Sequence, residues 1–211
     1  MKSEYGPTLG RMLAPRWHAA PRPVRAAVIA AGVLLLAAAV AAFLALRPAT
    51  FSHGGAMPFE FQYKGLRRVA SDPGGYVKLE GRYASGAIKY SYAVEPLRIG
   101  PYTGVPTGAL AVYASGYIRH RRAGVAGFQL AGEGKTRVNG VPGYQVLYTG
   151  EVEGHPVYGR DVLLLPERPG AREGVEIVML TAPKASSEVR APSEVASAGA
   201  LLRPLKTFTF G

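Results

Sequence analysis

The chain has 211 residues, which is enough for one domain of ordinary size with short attachments and too few for two full domains. It contains no cysteine, which excludes a disulfide scaffold, a cysteine nucleophile, an iron–sulfur cluster and a cysteine-liganded zinc finger. The formal net charge is +11, which favours anionic surfaces and partners.

Residues 1–25 form a basic leader. The segment holds five basic residues, one acidic residue and four prolines. Proline at this density opposes a stable helix. We therefore predict that residues 1–25 are a disordered cytoplasmic tail.

Residues 26–46 form an uninterrupted apolar run without a charged side chain. As a helix, 21 residues would span roughly 31 Å, close to the hydrocarbon thickness of a bilayer. Because the basic excess precedes the run, the N-terminus is expected in the cytoplasm and the C-terminal part outside. A cleaved signal peptide is the alternative, although its apolar region is normally shorter. We predict an uncleaved transmembrane anchor.

Residues 47–57 contain Pro48, Gly54 and Gly55, which interrupt regular secondary structure, and we predict a short linker there. His53 is interpreted as a linker residue and not as a metal ligand.

Residues 58–211 are expected to form one extracytoplasmic domain. Apolar and polar residues alternate in several short stretches, as is typical of half-buried strands. Glu153 and Gly154 form a predicted hairpin turn between two of them. The predicted strands are 59–63, 76–79, 88–94, 143–150, 157–165 and 175–181.

Two stretches have helical spacing instead. Residues 107–122 repeat apolar side chains every three or four positions, and residues 192–202 follow the same pattern. A closing strand is predicted over residues 206–210. Strands, a helix, an antiparallel run of strands, a helix and a last strand together predict an α+β fold, with a mainly antiparallel sheet and helices packed on it.

Three stretches of this domain resemble the PsbP-like family. They are the opening strand Phe59–Tyr63, the segment Val138–Tyr148 and the closing Leu205–Phe210, where Thr207 stands in place of the usual serine. The resemblance covers about residues 58–211 and implies an α/β/α sandwich. It also implies a binding or assembly module, with no shared catalytic residues.

The sequence offers little that would support catalysis or metal binding. The histidines lack metal-ligand spacing, and no nucleophile elbow occurs. Gly134, Lys135 and Thr136 are interpreted as part of a turn and not as a phosphate loop, and Glu151 with Glu153 as a solvated strand edge. We therefore predict no catalytic residue, no metal and no cofactor.

A basic cluster closes the first domain helix. Arg119, Arg121 and Arg122 either complement the helix dipole or form an anion-binding site. We take these three arginines as the candidate anion-binding residues. The expected partners are the lipid bilayer and an anionic envelope polymer, an anionic lipid or another envelope protein. Nucleic acid is not expected, because no reader motif occurs.

These observations predict a single-pass bacterial membrane protein whose outer domain is a binding or assembly module of the cell envelope, without enzymatic activity. The alternative is an envelope hydrolase with a site near His155, in which Asp161 would complete a catalytic triad with a serine.

Overall fold

The computed structural model describes residues 21–102, 106–168 and 170–211. The chain divides into two units, residues 1–47 and 48–211. The predicted tail at residues 1–20 lies outside the described residues.

One helix, α1 (Arg22–Leu46), makes up nearly all of the described part of the first unit. It begins four residues earlier than the apolar run, so residues 22–25 are helical and not part of a disordered tail. Pro23 is tolerated there because the first turn of a helix needs no intrahelical donor. Among the described residues, α1 is the helix long and apolar enough to cross a membrane.

The second unit is built on a seven-stranded antiparallel sheet in the order β3-β4-β5-β9-β8-β7-β6. Three of its hairpins have turns of two to five residues, so sequence neighbours pair directly. The strands are β3 (Arg67–Val69), β4 (Val77–Arg82), β5 (Ile88–Arg98), β6 (Ala126–Val138), β7 (Val141–Val152), β8 (His155–Leu164) and β9 (Glu173–Thr181).

A smaller sheet has the order β1-β2-β10, again antiparallel. Its strands are β1 (Ala49–His53), β2 (Phe59–Tyr63) and β10 (Thr209–Phe210). The prediction of a linker over residues 47–57 is wrong for β1, which pairs with β2 along its whole length. The aromatic side chain of Phe51 is half-buried against the rings of Phe59 and Phe61, and this packing holds the strand in the domain.

The helices confirm one prediction and correct another. The helix α2 (Pro106–Gly124) covers the predicted stretch 107–122. Residues 192–202 are not one helix: they contain two short 3-10 turns, and the helix α3 (Leu202–Lys206) follows. Positive φ angles at Ala196 (64°) and Gly199 (70°) interrupt the helical path. The predicted closing strand shortens to β10.

Two hydrophobic cores flank the large sheet. On one face, α2 packs through Leu110, Ala114 and Ile118. On the other, the smaller sheet packs together with α3 and the segment before it, and Phe59, Phe61 and other aromatic side chains fill the space. The predicted α+β fold, with a mainly antiparallel sheet and helices packed on it, is confirmed.

Candidate functional site

A cleft of about 500 Å³ opens between α2 and strands β5 and β9. It lies on the helix-covered face of the large sheet. Its lining combines two carboxylates and two phenol rings with basic side chains. The polar lining residues are Glu95, Tyr113, Ser115, Tyr117, Arg119, His120, Arg121 and Glu176.

One stripe of α2 forms a wall of this cleft. Tyr113, Tyr117 and Arg121 follow each other at four-residue intervals, which places them on the same side of the helix. The ring centroids of the two tyrosines are 6.2 Å apart. The Arg121 guanidinium carbon lies 5.6 Å from the centroid of the Tyr117 ring. The stripe therefore presents aromatic rings and one cation to the sheet.

Two carboxylates form the floor. Glu95 on β5 and Glu176 on β9 are directly paired across the antiparallel ladder. Like charges in this position destabilise a sheet unless other groups compensate. A third carboxylate, Asp161 on β8, is paired with Val178, two residues along β9 from Glu176.

Asp161 is fully buried and accepts three hydrogen bonds. The Tyr117 hydroxyl donates to its Oδ2 at 2.7 Å, and the Tyr148 hydroxyl donates to its Oδ1 at 3.2 Å. Arg121 Nε donates to Oδ2 at 2.7 Å. Burial raises the pKa of Asp161, while the Arg121 charge and these hydrogen bonds act against that rise. The network thus fastens α2 to the sheet through a buried ion pair.

The Tyr117 hydroxyl is also in very short contact with Glu176 Oε1. A phenol carries a single proton, so it can donate to only one of the two carboxylates. The contact with the second carboxylate is satisfied when Glu176 itself carries a proton and donates to the Tyr117 oxygen. Burial, followed by the nearby Asp161 charge, raises the pKa of Glu176 to about 7. Burial also raises the pKa of Glu95. Near neutral pH this site therefore gains and loses a proton.

The three arginines of the sequence-based anion site are divided by the structure. Arg121 points inward, and its Nη2 also lies 3.4 Å from Glu176 Oε1. Arg119 is exposed on the rim of the cleft. Arg122 is exposed as well, with its guanidinium carbon 5.9 Å from the centroid of the Phe128 ring. Anion binding by these residues stays a prediction, but Arg121 already has two carboxylate partners.

His155 and Asp161, the residues of the alternative catalytic site, lie far apart in the structure. His155 is exposed at the start of β8, and Asp161 lies six residues further along that strand. At about 3.3 Å per residue the two are roughly 20 Å apart, too far for a triad. Glu153 occupies the predicted hairpin turn with a φ of 52° and forms an ion pair with Arg82 at 2.9 Å.

The other residues considered in the sequence analysis lie in strands of the fold. His53 stacks on Phe59, with ring centroids 5.1 Å apart. Gly134, Lys135 and Thr136 lie inside β6 and not in a turn. Within residues 21–102, 106–168 and 170–211, no group of three His, Asp or Glu side chains is arranged to hold a metal ion.

Sequence reasoning missed Glu95 and Glu176. Both are acidic residues inside strands whose neighbours are apolar, as in the run Gly174–Thr181. A charged residue in a buried strand signals a partner inside the fold, because an isolated buried charge is costly. That signal was present in the sequence, but it does not show which residues are the partners.

Comparisons with protein-family models and with curated proteins give no match. Among solved structures, LpqN of Mycobacterium tuberculosis, described as involved in cell envelope biogenesis, is similar with a TM-score of 0.53 and 11% identity. The match covers 78% of this chain and 91% of LpqN. A cyanobacterial PsbP protein, CyanoP of Synechocystis sp. PCC 6803, is also similar, with a TM-score of 0.48, 15% identity and coverages of 78% and 92%. The LpqN match shows that the two chains share a fold.

Proposed function

We propose that this chain is a single-pass membrane protein whose domain, residues 48–211, is a non-catalytic binding or assembly module outside the bacterial cytoplasm. The observation that carries the proposal is the combination of an apolar helix of membrane-spanning length with the fold of LpqN. LpqN is described as involved in cell envelope biogenesis. The basic leader before α1 supports a cytoplasmic N-terminus.

A buried hydrogen-bond network beside the cleft supports a structural role for three of its polar groups. Tyr117, Arg121 and Asp161 hydrogen-bond to one another. These bonds fix α2 on the sheet, and we propose that the three groups hold the module together and do not act on a substrate.

The exposed end of α2 supports an anionic partner. Arg119 and Arg122 are exposed in the last turns of the helix, and neither forms an ion pair with a carboxylate in the described part of the chain, whereas Arg121 pairs with Asp161 inside the fold. We propose that these two residues bind an acidic polymer or an acidic protein of the envelope.

Membrane topology is the first test. Because the chain has no cysteine, Ser85→Cys in the exposed turn between β4 and β5 gives a single labelling site. We expect a membrane-impermeant maleimide to label this variant in intact cells, on a protein of full-length mass. Ser3→Cys in the leader is the matched control and should be labelled only after lysis. Labelling of Ser85→Cys only after lysis would place the domain inside the cell and refute the proposal.

The anionic partner has its own test. Arg119→Gln with Arg122→Gln should weaken binding to poly-L-glutamate, a soluble polyanion, by about an order of magnitude at low salt. Lys135→Gln with Arg137→Gln removes the same charge from exposed positions of β6 and should change the affinity much less. Equal losses in the two variants would mean that net charge alone attracts the polymer.

A further inference from the structure

We propose that a second basic surface, at one end of the smaller sheet, binds the headgroups of anionic phospholipids. Lys64 follows β2, Arg68 lies in β3, and Arg203 and Lys206 lie in α3. All four side chains are exposed. We call these four residues the β2 patch. The inference rests on one part of the proposed function, namely that α1 spans a membrane.

Side-chain contacts hold α3 to the end of β2. Arg203 Nη1 donates to Gln62 Oε1 at 3.1 Å. The Gln62 backbone amide donates to Thr207 Oγ1 at 2.8 Å. Because Gln62 lies two positions before Lys64, these bonds place the bases of α3 beside the base that follows β2.

Arg68 extends the patch across the outer strand of the small sheet. Its guanidinium carbon lies 5.2 Å from the centroid of the Phe51 ring in β1. Phe51 is paired in register with Phe61 of β2. Arg68 therefore lies against β1, the strand that pairs with β2.

Charge is concentrated in the two chain segments that form this surface. Residues 47–69 and 199–211 contain six basic residues and one acidic residue, Glu60. From residue 47 onward the chain has 20 basic and 13 acidic residues. Most of the domain's net positive charge thus lies in these two short segments, which is the condition for attraction to an anionic surface.

The chain connection between α1 and β1 is short. Only Arg47 and Pro48 lie between Leu46 of α1 and Ala49 of β1. Three residue steps reach at most about 11 Å, whatever angle the chain adopts. Ala49 pairs with Tyr63, the residue before Lys64. The ligands proposed for the β2 patch are the phosphate groups of phospholipids, which ammonium and guanidinium groups bind well.

The test uses the full-length chain in neutral detergent micelles. Native mass spectrometry would measure the retention of added phosphatidylglycerol and, separately, of phosphatidylcholine. We expect the wild-type protein to prefer phosphatidylglycerol. A variant with glutamine at all four positions of the β2 patch should lose this preference at least tenfold, because each base near an anionic surface contributes about fivefold.

A matched variant separates the patch from net charge. Glutamine at Lys135, Arg137, Arg168 and Arg172 removes the same charge from exposed positions elsewhere, and this variant should keep its preference for phosphatidylglycerol. Equal losses in the two variants, or a preference that survives in the β2-patch variant, would overturn the inference. Loss of bound lipid on addition of inorganic phosphate at constant ionic strength would assign the patch to free phosphate instead.

A fold control and the use of purified protein keep the outcomes of the lipid test and the topology test distinct. Far-UV circular dichroism should show the same fold in both glutamine variants, because all the replaced side chains are exposed and the hydrogen bond between Gln62 and Thr207 still holds α3 to β2. The lipid measurement is made on purified protein and does not depend on which side of the membrane the domain occupies. A failure of the topology test would therefore leave this result standing, and the reverse also holds.

Discussion

Tyr117 is the residue on which the buried network depends. Its hydroxyl contacts Asp161 on β8 and Glu176 on β9, and it accepts a hydrogen bond from Arg121 Nε at 2.9 Å. A single side chain of α2 thus joins two neighbouring strands. The protonation of Glu176 decides how well this junction is satisfied, because the phenol has only one proton to give.

The first prediction concerns Glu176 and pH. Its pKa of about 7 in the folded protein exceeds the ordinary value of 4.5, so the folded state binds this proton more tightly than the unfolded state. The free energy of unfolding should then fall as pH rises from about 4.5 to 7, by at most about 1.4 kcal/mol per pH unit from this group, and level off above pH 7. Glu176→Gln should flatten the profile, since the amide replaces the protonated acid.

Denaturant titrations across this pH range would measure the effect. Glu95 and Asp161 also have raised pKa values, so part of the slope should remain in the variant. Glu151→Gln, at an exposed strand position, is the control and should leave the profile unchanged. An identical slope in Glu176→Gln and the wild type would contradict the assignment of the proton to this residue.

The second prediction concerns the buried ion pair. Asp161→Asn removes the nearer of the two carboxylates that face Arg121, and the unfolding free energy should drop by about 3 kcal/mol, because the cation keeps only its longer contact with Glu176. Glu153→Gln breaks the exposed pair with Arg82 and should cost much less, because solvent screens an exposed ion pair. Chemical unfolding followed by circular dichroism would compare the two, and similar losses would argue against a structural role for Asp161.

Among the elements, those with regular side-chain spacing were predictable from sequence. The alternation in residues 88–94 and the helical spacing in residues 107–122 both correspond to elements of the structure. Strand β6 was missed because two bulges, at Ala126/Gln129 and Leu130/Gly132, break its alternation. Strand β1 was missed because it is short and lies between Pro48 and Gly54.

The candidate site was much less predictable. The helical spacing of α2 shows that Tyr113, Tyr117 and Arg121 share one face, but not which strands that face meets. The pairing of Glu95 with Glu176 depends on the register of β5 against β9, strands about 80 residues apart along the chain. Register over such a separation is set by the packing of the whole sheet, which no local pattern contains.

A third prediction belongs to the packing of strands. A methyl group at Gly174 of β9 would overlap the carbonyl oxygen of Leu164 in the neighbouring strand. Gly174→Ala should therefore reduce the unfolding free energy by about 3 kcal/mol, since backbone atoms must shift. Gly134→Ala in β6 is the control: its added carbon meets no atom within 4 Å. Thermal unfolding should show a lower Tm only for Gly174→Ala, and an unchanged Tm there would show that β8 and β9 are not so closely packed.

At the scale of the whole molecule, the apolar helix and the domain differ in the surface that they expose. The exposed large apolar side chains of the described residues are concentrated in α1, where Leu34, Leu35 and Leu36 are each at least 67% exposed. Such a surface is costly in water and stable in lipid.

The fourth prediction tests this assignment. Leu35→Lys with Leu36→Lys places two charges at the middle of α1, each of which costs about 3 kcal/mol at the centre of a membrane helix. We expect the protein to leave the membrane pellet on carbonate extraction. Leu35→Ala with Leu36→Ala keeps the helix apolar and should stay in the pellet. Retention of the lysine variant after carbonate would indicate that something other than α1 holds the chain on the membrane.

Strand β2 has consequences for how the protein is made. Its neighbours β1 and β10 come from opposite ends of the domain, and the hydrogen bond between Gln62 and Thr207 joins residues 145 positions apart. The ring of Phe208 stacks on those of Phe59 and Phe61, with centroids 5.5 and 6.5 Å away. During synthesis Phe59 and Phe61 are made long before Phe208, the residue whose ring covers them. The growing chain therefore has an uncovered aromatic face during that interval, in which a chaperone can bind it.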